Sequence, residues 1–192
     1  MPAVSLVLVA DEPAPRRAAE ELFPRVERCF LTRSELRAPA PFGGPLFAIL
    51  AAQPAGACVG LVVLVVLLGA AGPDAPGASA LVAVADHVNL ELRGPLSGRW
   101  PAGVPRTFPP VAGIYQPAVV RAAGGARVYS SGVMVAGVAD AGRLTPFEVR
   151  AVREGGFFAV SDTLVPAAII AAYHGLKLAA CGVPWAPALD RE

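Results

Sequence analysis

The stretch from Gly132 to Val183 constrains the fold more than any other part of the chain, because short apolar runs alternate there with helical patterns. The apolar runs have the length and composition of buried strands, and they are Val133–Ala136, Phe157–Val160 and Leu176–Cys181. Each run is separated from the next by a segment that reads as a helix. The stretch therefore predicts a repeated strand–helix–strand arrangement.

Both helical segments carry recognisable end signals. Thr145 with Glu148 three residues later matches a capping box, and Pro146 suits a first helical turn, which predicts a helix over Pro146–Arg153. A second helix, rich in Ala and Ile, is predicted over Pro166–Tyr173, with Gly175 free to adopt the left-handed conformation that ends helices. Strands that alternate with helices in this way are typical of α/β crossover architecture.

The rest of the chain extends the same pattern. Further strands are predicted over Val4–Val9, Cys58–Leu68 and Leu81–Ala85, and further helices over Pro15–Arg28, Leu46–Ala52 and Gln116–Ala123. At 192 residues the chain is long enough to bury one core. We therefore predict a three-layer α/β/α fold with a mixed, largely parallel central sheet, formed by a single domain over residues 1–183 and a tail over 184–192.

The longest uncharged segment, Leu46–Ala71, raises the question of a membrane span. A spanning helix needs about 20 consecutive apolar residues, and Gln53, Pro54 and Gly56 interrupt this one. The Val-rich run after the interruption suits a strand that is buried on both faces of a parallel sheet. No positively charged, then apolar, secretory leader opens the chain. We expect no membrane association.

Charge and cysteine content exclude several other classes. A net charge of +1 supplies no basic surface for nucleic acid. Cys29, Cys58 and Cys181 are odd in number and lack metal-ligand spacing, so we expect free thiols in a reducing, intracellular compartment, cytoplasmic or nuclear, with no metal and no cofactor. The single Lys177 and single Asn89 indicate a GC-rich genome, which leads to the hypothesis of a gene captured by a large DNA virus.

Several short motifs occur in a characteristic order, namely GAAG (69–72), ADHVNL (85–90), GPL (94–96), FPPVAGIY (108–115) and GVMVAG (132–137). In this order and spacing, residues 61–183 resemble the trimeric purine nucleoside phosphorylases. The resemblance implies the fold predicted above and a site for phosphate, ribose and a purine base. The enzymes of that family continue well beyond Val183, so we expect this chain to lack their final helices.

The phosphate part of the implied site carries the wrong charges. Enzymes of the family have a Gly-rich loop with a Ser after the first strand, because backbone N–H groups cradle an anion. Here the segment Ala10–Pro13 contains two carboxylates, and proline has no N–H to offer. The family also places an Arg and a His ahead of the next strand, and Arg33 and Arg37 lie in the matching region without a His.

The purine part of the implied site is also altered. The family's base-binding Glu aligns with Leu144, its base-binding Asn aligns near Ala186, and its ribose-contacting Met aligns near Asp162. Losing one such preorganised group typically costs about 100- to 1,000-fold in rate. Thr163, in place of the phosphate-contacting Ser, and Ala70, in the AAG segment, are the two substrate-binding positions that the resemblance leaves. We expect no catalytic residues.

Other polar residues have structural explanations. His87 belongs to DHVNL, a motif that shapes the fold in the family, and His174 lies at a predicted helix end where a cation is mildly stabilising. Asp86, Asp140 and Asp162 lack the spacing of a known metal site.

The preferred hypothesis is an inactivated phosphorylase-like protein used in a structural or protein-interaction role. The alternatives are a divergent phosphorylase or hydrolase acting on a purine nucleoside or related ligand, and a small-ligand sensor without catalysis. The family's neighbour-contacting aromatic residue aligns near Val104, so we expect a monomer or an oligomer unlike that of the family.

Overall fold

The computed structural model of the chain describes residues 4–37, 44–53, 61–70, 80–92, 94–97, 100, 102, 104–129 and 132–185. For residues 4, 5, 61–70 and 185 it describes the backbone alone. The strands are β1 (Val4–Ala10), β2 (Arg28–Leu31), β3 (Leu61–Ala70), β4 (Val82–Asn89), β5 (Val133–Gly137), β6 (Ala159–Ser161) and β7 (Lys177–Trp185). The helices are α1 (Pro13–Leu22), α2 (Arg33–Leu36), α3 (Pro45–Ala51), α4 (Pro117–Gly124), α5 (Pro146–Glu154) and α6 (Leu164–Tyr173).

The strands form one curled, mixed sheet in the order β2-β1-β3-β6-β5-β4-β7. Strand β3 also pairs with β7, so that β3, β6, β5, β4 and β7 close into a ring. Parallel pairing joins β1 to β2 and β3, β3 to β7, and β5 to β4 and β6. The pairs β3–β6 and β4–β7 are antiparallel. The predicted mixed, largely parallel sheet is confirmed.

Helices cover both faces of the sheet, and β1 shows why. Its side chains alternate between two cores, as the period of a strand requires. Leu6, Leu8 and Ala10 join the core beneath α3 and α6, whereas Val7 and Val9 join the core beneath α1 and α4. The predicted three-layer α/β/α architecture is confirmed.

The structure corrects the prediction of one long helix over Pro15–Arg28. Helix α1 ends at Leu22, and Pro24 follows its C-cap residue Phe23. Proline lacks the N–H that a continuing helix needs, which explains the early end. The chain then forms the edge strand β2 and the short helix α2, neither of which was predicted. Thr32 and Glu35 form a capping box at the start of α2, a signal that is present in the sequence.

Two boundaries in the second half also differ from prediction. Strand β7 continues to Trp185, because its whole length pairs with β3, whereas the predicted strand ended at Cys181. Helix α6 begins at Leu164, so that Pro166 lies in the first turn, where no N–H bond is required. Residues 186–192 lie outside the described residues, and the domain boundary at Val183 stays a prediction. No helix among the described residues has the length and apolarity needed to cross a bilayer.

Candidate functional site

Charged side chains meet where β1, β5 and β6 end. Glu12 follows β1, Asp140 lies in the loop after β5, and Asp162 follows β6. Arg33, the first residue of α2, contacts two of these carboxylates. We call Glu12, Arg33, Asp140 and Asp162 the Arg33 cluster. Ligand sites of open α/β sheets form at the carboxyl ends of strands, so this cluster occupies the position where a ligand site is expected.

The edge strand β2 carries Arg33 to this position. Ala10 at the end of β1 pairs with Leu31 at the end of β2, and the Asp11 N–H donates to the Leu31 carbonyl at 2.8 Å. The strands β1 and β2 therefore end side by side at the same edge of the sheet. The capping box of Thr32 and Glu35 then starts α2 immediately, which directs Arg33 toward β5 and β6.

The guanidinium of Arg33 is bound by two carboxylates from distant parts of the chain. Its Nε donates to Asp162 Oδ2 at 2.7 Å, and its Nη2 donates to the same oxygen. The Nη2 group also donates to Asp140 Oδ1 at 2.9 Å. The hydrogen bond to Asp162 raises the pKa of Arg33 above its usual value. Asp162 is only 7% exposed, and this ion pair compensates the burial of its carboxylate.

Asp140 is held in its ionised form by its own loop as well as by Arg33. The Gly142 N–H donates to Asp140 Oδ1 at 3.0 Å, and this bond, followed by the bond from Arg33, lowers the pKa of Asp140. Arg37 adds a favourable charge nearby. The loop after β5 therefore delivers a carboxylate to Arg33.

Glu12 is the least compensated member of the cluster. Burial raises the pKa of its carboxyl group, and the neighbouring charges of Asp11 and Asp162 act in the same direction against the charge of Arg33. Its Oε2 atom is buried and has no hydrogen-bond partner among the described residues. Asp11, by contrast, accepts a bond from Arg16 Nε at 2.5 Å. Glu12 is thus shifted toward the neutral acid.

The start of α6 is already capped by the protein. Ser161 Oγ accepts hydrogen bonds from the N–H groups of Thr163 at 3.3 Å and Leu164 at 3.2 Å. The Thr163 hydroxyl lies 3.4 Å from the same oxygen. Ser161 and Thr163 are both buried. These bonds occupy N–H groups that would otherwise be free for an anion at this helix end.

The remaining predicted site positions are spread over the fold. Ala70 is the last residue of β3, and its backbone pairs with Ala159 of β6, beside the strand that leads to Thr163. Leu144 lines a groove against α5. Ala186 lies outside the described residues. The assignment of Ala70 and Thr163 to substrate binding stays a prediction.

The two histidines make contacts within the fold. His87 Nδ1 lies 2.7 Å from the Tyr115 hydroxyl, and the two rings pack edge to face. His174 packs edge to face against Phe47 and Tyr173, and its Nε2 is buried without a partner among the described residues. Burial lowers the pKa of both imidazoles.

These lowered histidine pKa values predict a loss of stability in mild acid. The unfolded chain takes up protons on histidine below about pH 6.5, whereas the folded chain resists until its lower pKa is reached. The free energy of unfolding should therefore fall between about pH 6.5 and pH 5. Urea unfolding across this range measures the slope, and His174→Leu should make it shallower. An unchanged slope in that variant would contradict the role given to His174.

Cysteine and metal chemistry find no support in the described residues. Cys29 and Cys181 are free thiols, and burial raises the pKa of Cys181 to about 12, which makes it unreactive. Cys58 lies outside the described residues. Within them, no three His, Cys, Asp or Glu side chains are grouped as a metal site would require.

The curled sheet, its strand order and its helices match solved structures. Purine nucleoside phosphorylase from Schistosoma mansoni in complex with inosine superposes with a TM-score of 0.56 and 19% identity, over 69% of this chain and 50% of that one. The same enzyme with a monocyclic inhibitor gives 0.54 and 17%, over 68% and 53%. Isoform 2 with cytosine and ribose-1-phosphate gives 0.55 and 18%, over 67% and 48%.

The chain has a purine nucleoside phosphorylase-like fold. It spans about half the length of the solved phosphorylases that it matches. No protein-family model matches the sequence. No curated protein matches it either. At these identities the likeness is one of fold, and function must be argued from the Arg33 cluster and its surroundings.

Proposed function

We propose that this phosphorylase-like domain does not carry out phosphorolysis and acts instead as a protein-interaction module. The binding of Arg33 by Asp162 and Asp140 supports this proposal. An arginine near the strand ends is the group that would attract phosphate. In this chain protein carboxylates already bind it.

A phosphate dianion would meet net repulsion at this position. Within the cluster, Asp140 and Asp162 outnumber the single guanidinium of Arg33 even when Glu12 is in its neutral form. Two unit charges about 4 Å apart interact with about 4 kcal/mol near a protein surface. Phosphate would also have to displace Asp162 from Arg33 and leave a buried carboxylate unpaired, which is costly. The carboxylates of the cluster therefore favour binding of the protein's own Arg33 over binding of a phosphate anion.

The decisive assay measures purine release from inosine or guanosine with and without phosphate, because solved phosphorylases of this fold are complexed with these nucleosides. We expect no release above background. The single substitution Leu144→Glu should not restore it, because groups that act as a unit are strongly non-additive. Phosphate-dependent cleavage that is lost in Thr163→Ala would overturn the proposal.

Glu12 favours one alternative, a hydrolase acting on a nucleoside. A half-buried carboxyl group with a raised pKa, such as that of Glu12, is the type of group that protonates a leaving base or glycosidic oxygen. This alternative expects purine release in the absence of phosphate. It also expects that Glu12→Gln removes that release while the protein stays folded. The phosphate-free arm of the same assay separates the two functions.

A further inference from the structure

A groove of about 770 Å³ lies against α5 and reaches the small core cluster that contains Val138 and Val152. Its walls come from the residues after β4, the loop after β5, α5 itself and Phe157. Its apolar lining includes Leu90, Val138, Leu144, Ala151, Val152 and Phe157. We call this the α5 groove.

One exposed apolar side chain, Leu90, lines the α5 groove, and two more, Leu92 and Phe147, belong to residues adjacent in sequence to groove residues. Leu90 is 46% exposed, Leu92 is 90% exposed and Phe147 is 75% exposed. Leu92 directly follows the groove residues Leu90 and Glu91, and Phe147 lies one helical turn before Ala151 on the same face of α5. Half of the six large apolar side chains that are exposed in the described residues therefore belong to the segments that form the groove. Such a concentration marks an interaction surface, whereas isolated exposed apolar residues do not.

The rim of the groove is negatively charged although the chain as a whole is not. Glu91, Asp140 and Glu148 contribute carboxylates, and Arg143 contributes the one cation among the described residues of the lining. The charges of Arg33 and Asp162, which lie behind Asp140, cancel each other. Hydrogen bonds lower the pKa values of Asp140 and Glu148, so both stay ionised in mild acid. The net charge of the chain is +1, so the groove differs in sign from the chain as a whole.

We propose that the α5 groove docks a basic amphipathic helix of a partner protein. The apolar face of that helix would cover Leu90, Leu144 and Ala151, and its Lys or Arg residues would face Glu91 and Glu148. This is the helix-in-groove mode of recognition, in which apolar anchors give affinity and complementary charges give specificity and speed. The inference rests on the proposed interaction role and names the class of partner.

The charge of the rim argues against a second copy of this chain as the occupant. A twofold contact would place the same groove residues of both copies against each other. Glu91, Asp140 and Glu148 would then face their own counterparts, and such like-charge contacts are unfavourable. A basic partner removes this repulsion.

The test measures fluorescence anisotropy of a labelled Leu/Lys peptide of about 18 residues, long enough to form an amphipathic helix. A second peptide with Glu in place of Lys is its charge-reversed counterpart. We expect the Lys peptide to bind and the Glu peptide not to bind. Higher salt should weaken the binding of the Lys peptide, because the rim charges are exposed to solvent.

Two variants locate the binding to the groove. Ala151→Arg places bulk and positive charge on an exposed helical position, and Glu91→Lys reverses one rim charge. Each should raise the dissociation constant of the Lys peptide about tenfold or more, since both anchor contacts and rim charges are lost. Ala122→Arg is the matched control, because Ala122 is an exposed alanine of α4, which does not line the groove. Circular dichroism confirms that all three variants fold.

The proposal is overturned if the Lys peptide does not bind or if the Glu peptide binds equally well. It is also overturned if Ala122→Arg weakens binding of the Lys peptide as much as the groove variants do. A dimer in sedimentation that Ala151→Arg dissociates would overturn it as well. The purine-release assay reports separately on the proposed function. Purine release together with peptide binding would reject the proposed absence of catalysis and leave the docking site standing. The absence of both would reject the docking site alone.

Discussion

Replacement of Arg33 by Met is expected to lower the free energy of unfolding by about 2 kcal/mol. Removing one partner of a fully buried ion pair costs about 3 to 5 kcal/mol. The Arg33 side chain is 44% exposed, so we expect a smaller cost for this pair. Asp162, at 7% exposure, would be left as a buried carboxylate without its cation. The melting temperature should fall by roughly 4 to 8 °C for a chain of this size.

A variant of the partner residue, Asp162, distinguishes loss of the ion pair from a general loss of stability. Asp162→Asn removes the buried charge, so the double variant with Arg33→Met should be less destabilised than the sum of the two single variants. Arg127→Met is the control, because the ion pair of Arg127 with Glu21 is exposed on both sides and such pairs contribute at most about 1 kcal/mol. Additive effects at Arg33 and Asp162, measured by urea unfolding, would contradict the pairing.

The second large effect is expected at Gly137, the last residue of β5. A Cβ atom at this position would overlap Cγ2 of Val165 in α6 and would lie 3.2 Å from the Val88 carbonyl oxygen in β4. Gly137→Ala should therefore lower the free energy of unfolding by about 2 kcal/mol, the usual size of an overpacking penalty.

The position of Val165 provides a direct check. Val165→Ala removes the atoms that a new Cβ would meet, so the double variant should recover part of the stability that Gly137→Ala loses. Val165→Ala alone should cost about 1 to 2 kcal/mol through lost apolar burial. If the double variant loses as much as both single variants together, the close approach of α6 to the end of β5 is not the cause.

The Arg33 cluster lies at strand ends where folds of this kind form ligand sites, yet the protein supplies both partners of its ion pairs. The same fold can host catalysis in one chain and binding in another, because function depends on the site and not on the frame. The bound Arg33, the Ser161 cap and the apolar α5 groove together favour interaction over phosphorolysis.

The sequence carried strong local signals for much of the fold. Thr145 and Glu148 predict their capping box from spacing alone, and both bonds are present in the structure. The central strands and helices α3 to α6 follow from apolar runs and helix-end signals, which depend on neighbours in sequence. The edge strand β2 was not predicted, because a strand of only four residues shows little periodicity. Thr32 and Glu35 did mark the start of the helix that follows it.

The sequence alone determined the α/β architecture of this chain and the two carboxylates of its Ala10–Pro13 turn, because those features depend on residue type and local order. Only the tertiary structure showed that Arg33 pairs with Asp162, 129 residues away, and with Asp140, 107 residues away. It also revealed the α5 groove and the buried Glu12 Oε2, which has no hydrogen-bond partner in the part of the chain that the structure describes. Contacts of this kind form because the curled sheet brings together strand ends that are far apart in sequence. Local sequence patterns carry no information on which of these ends meet.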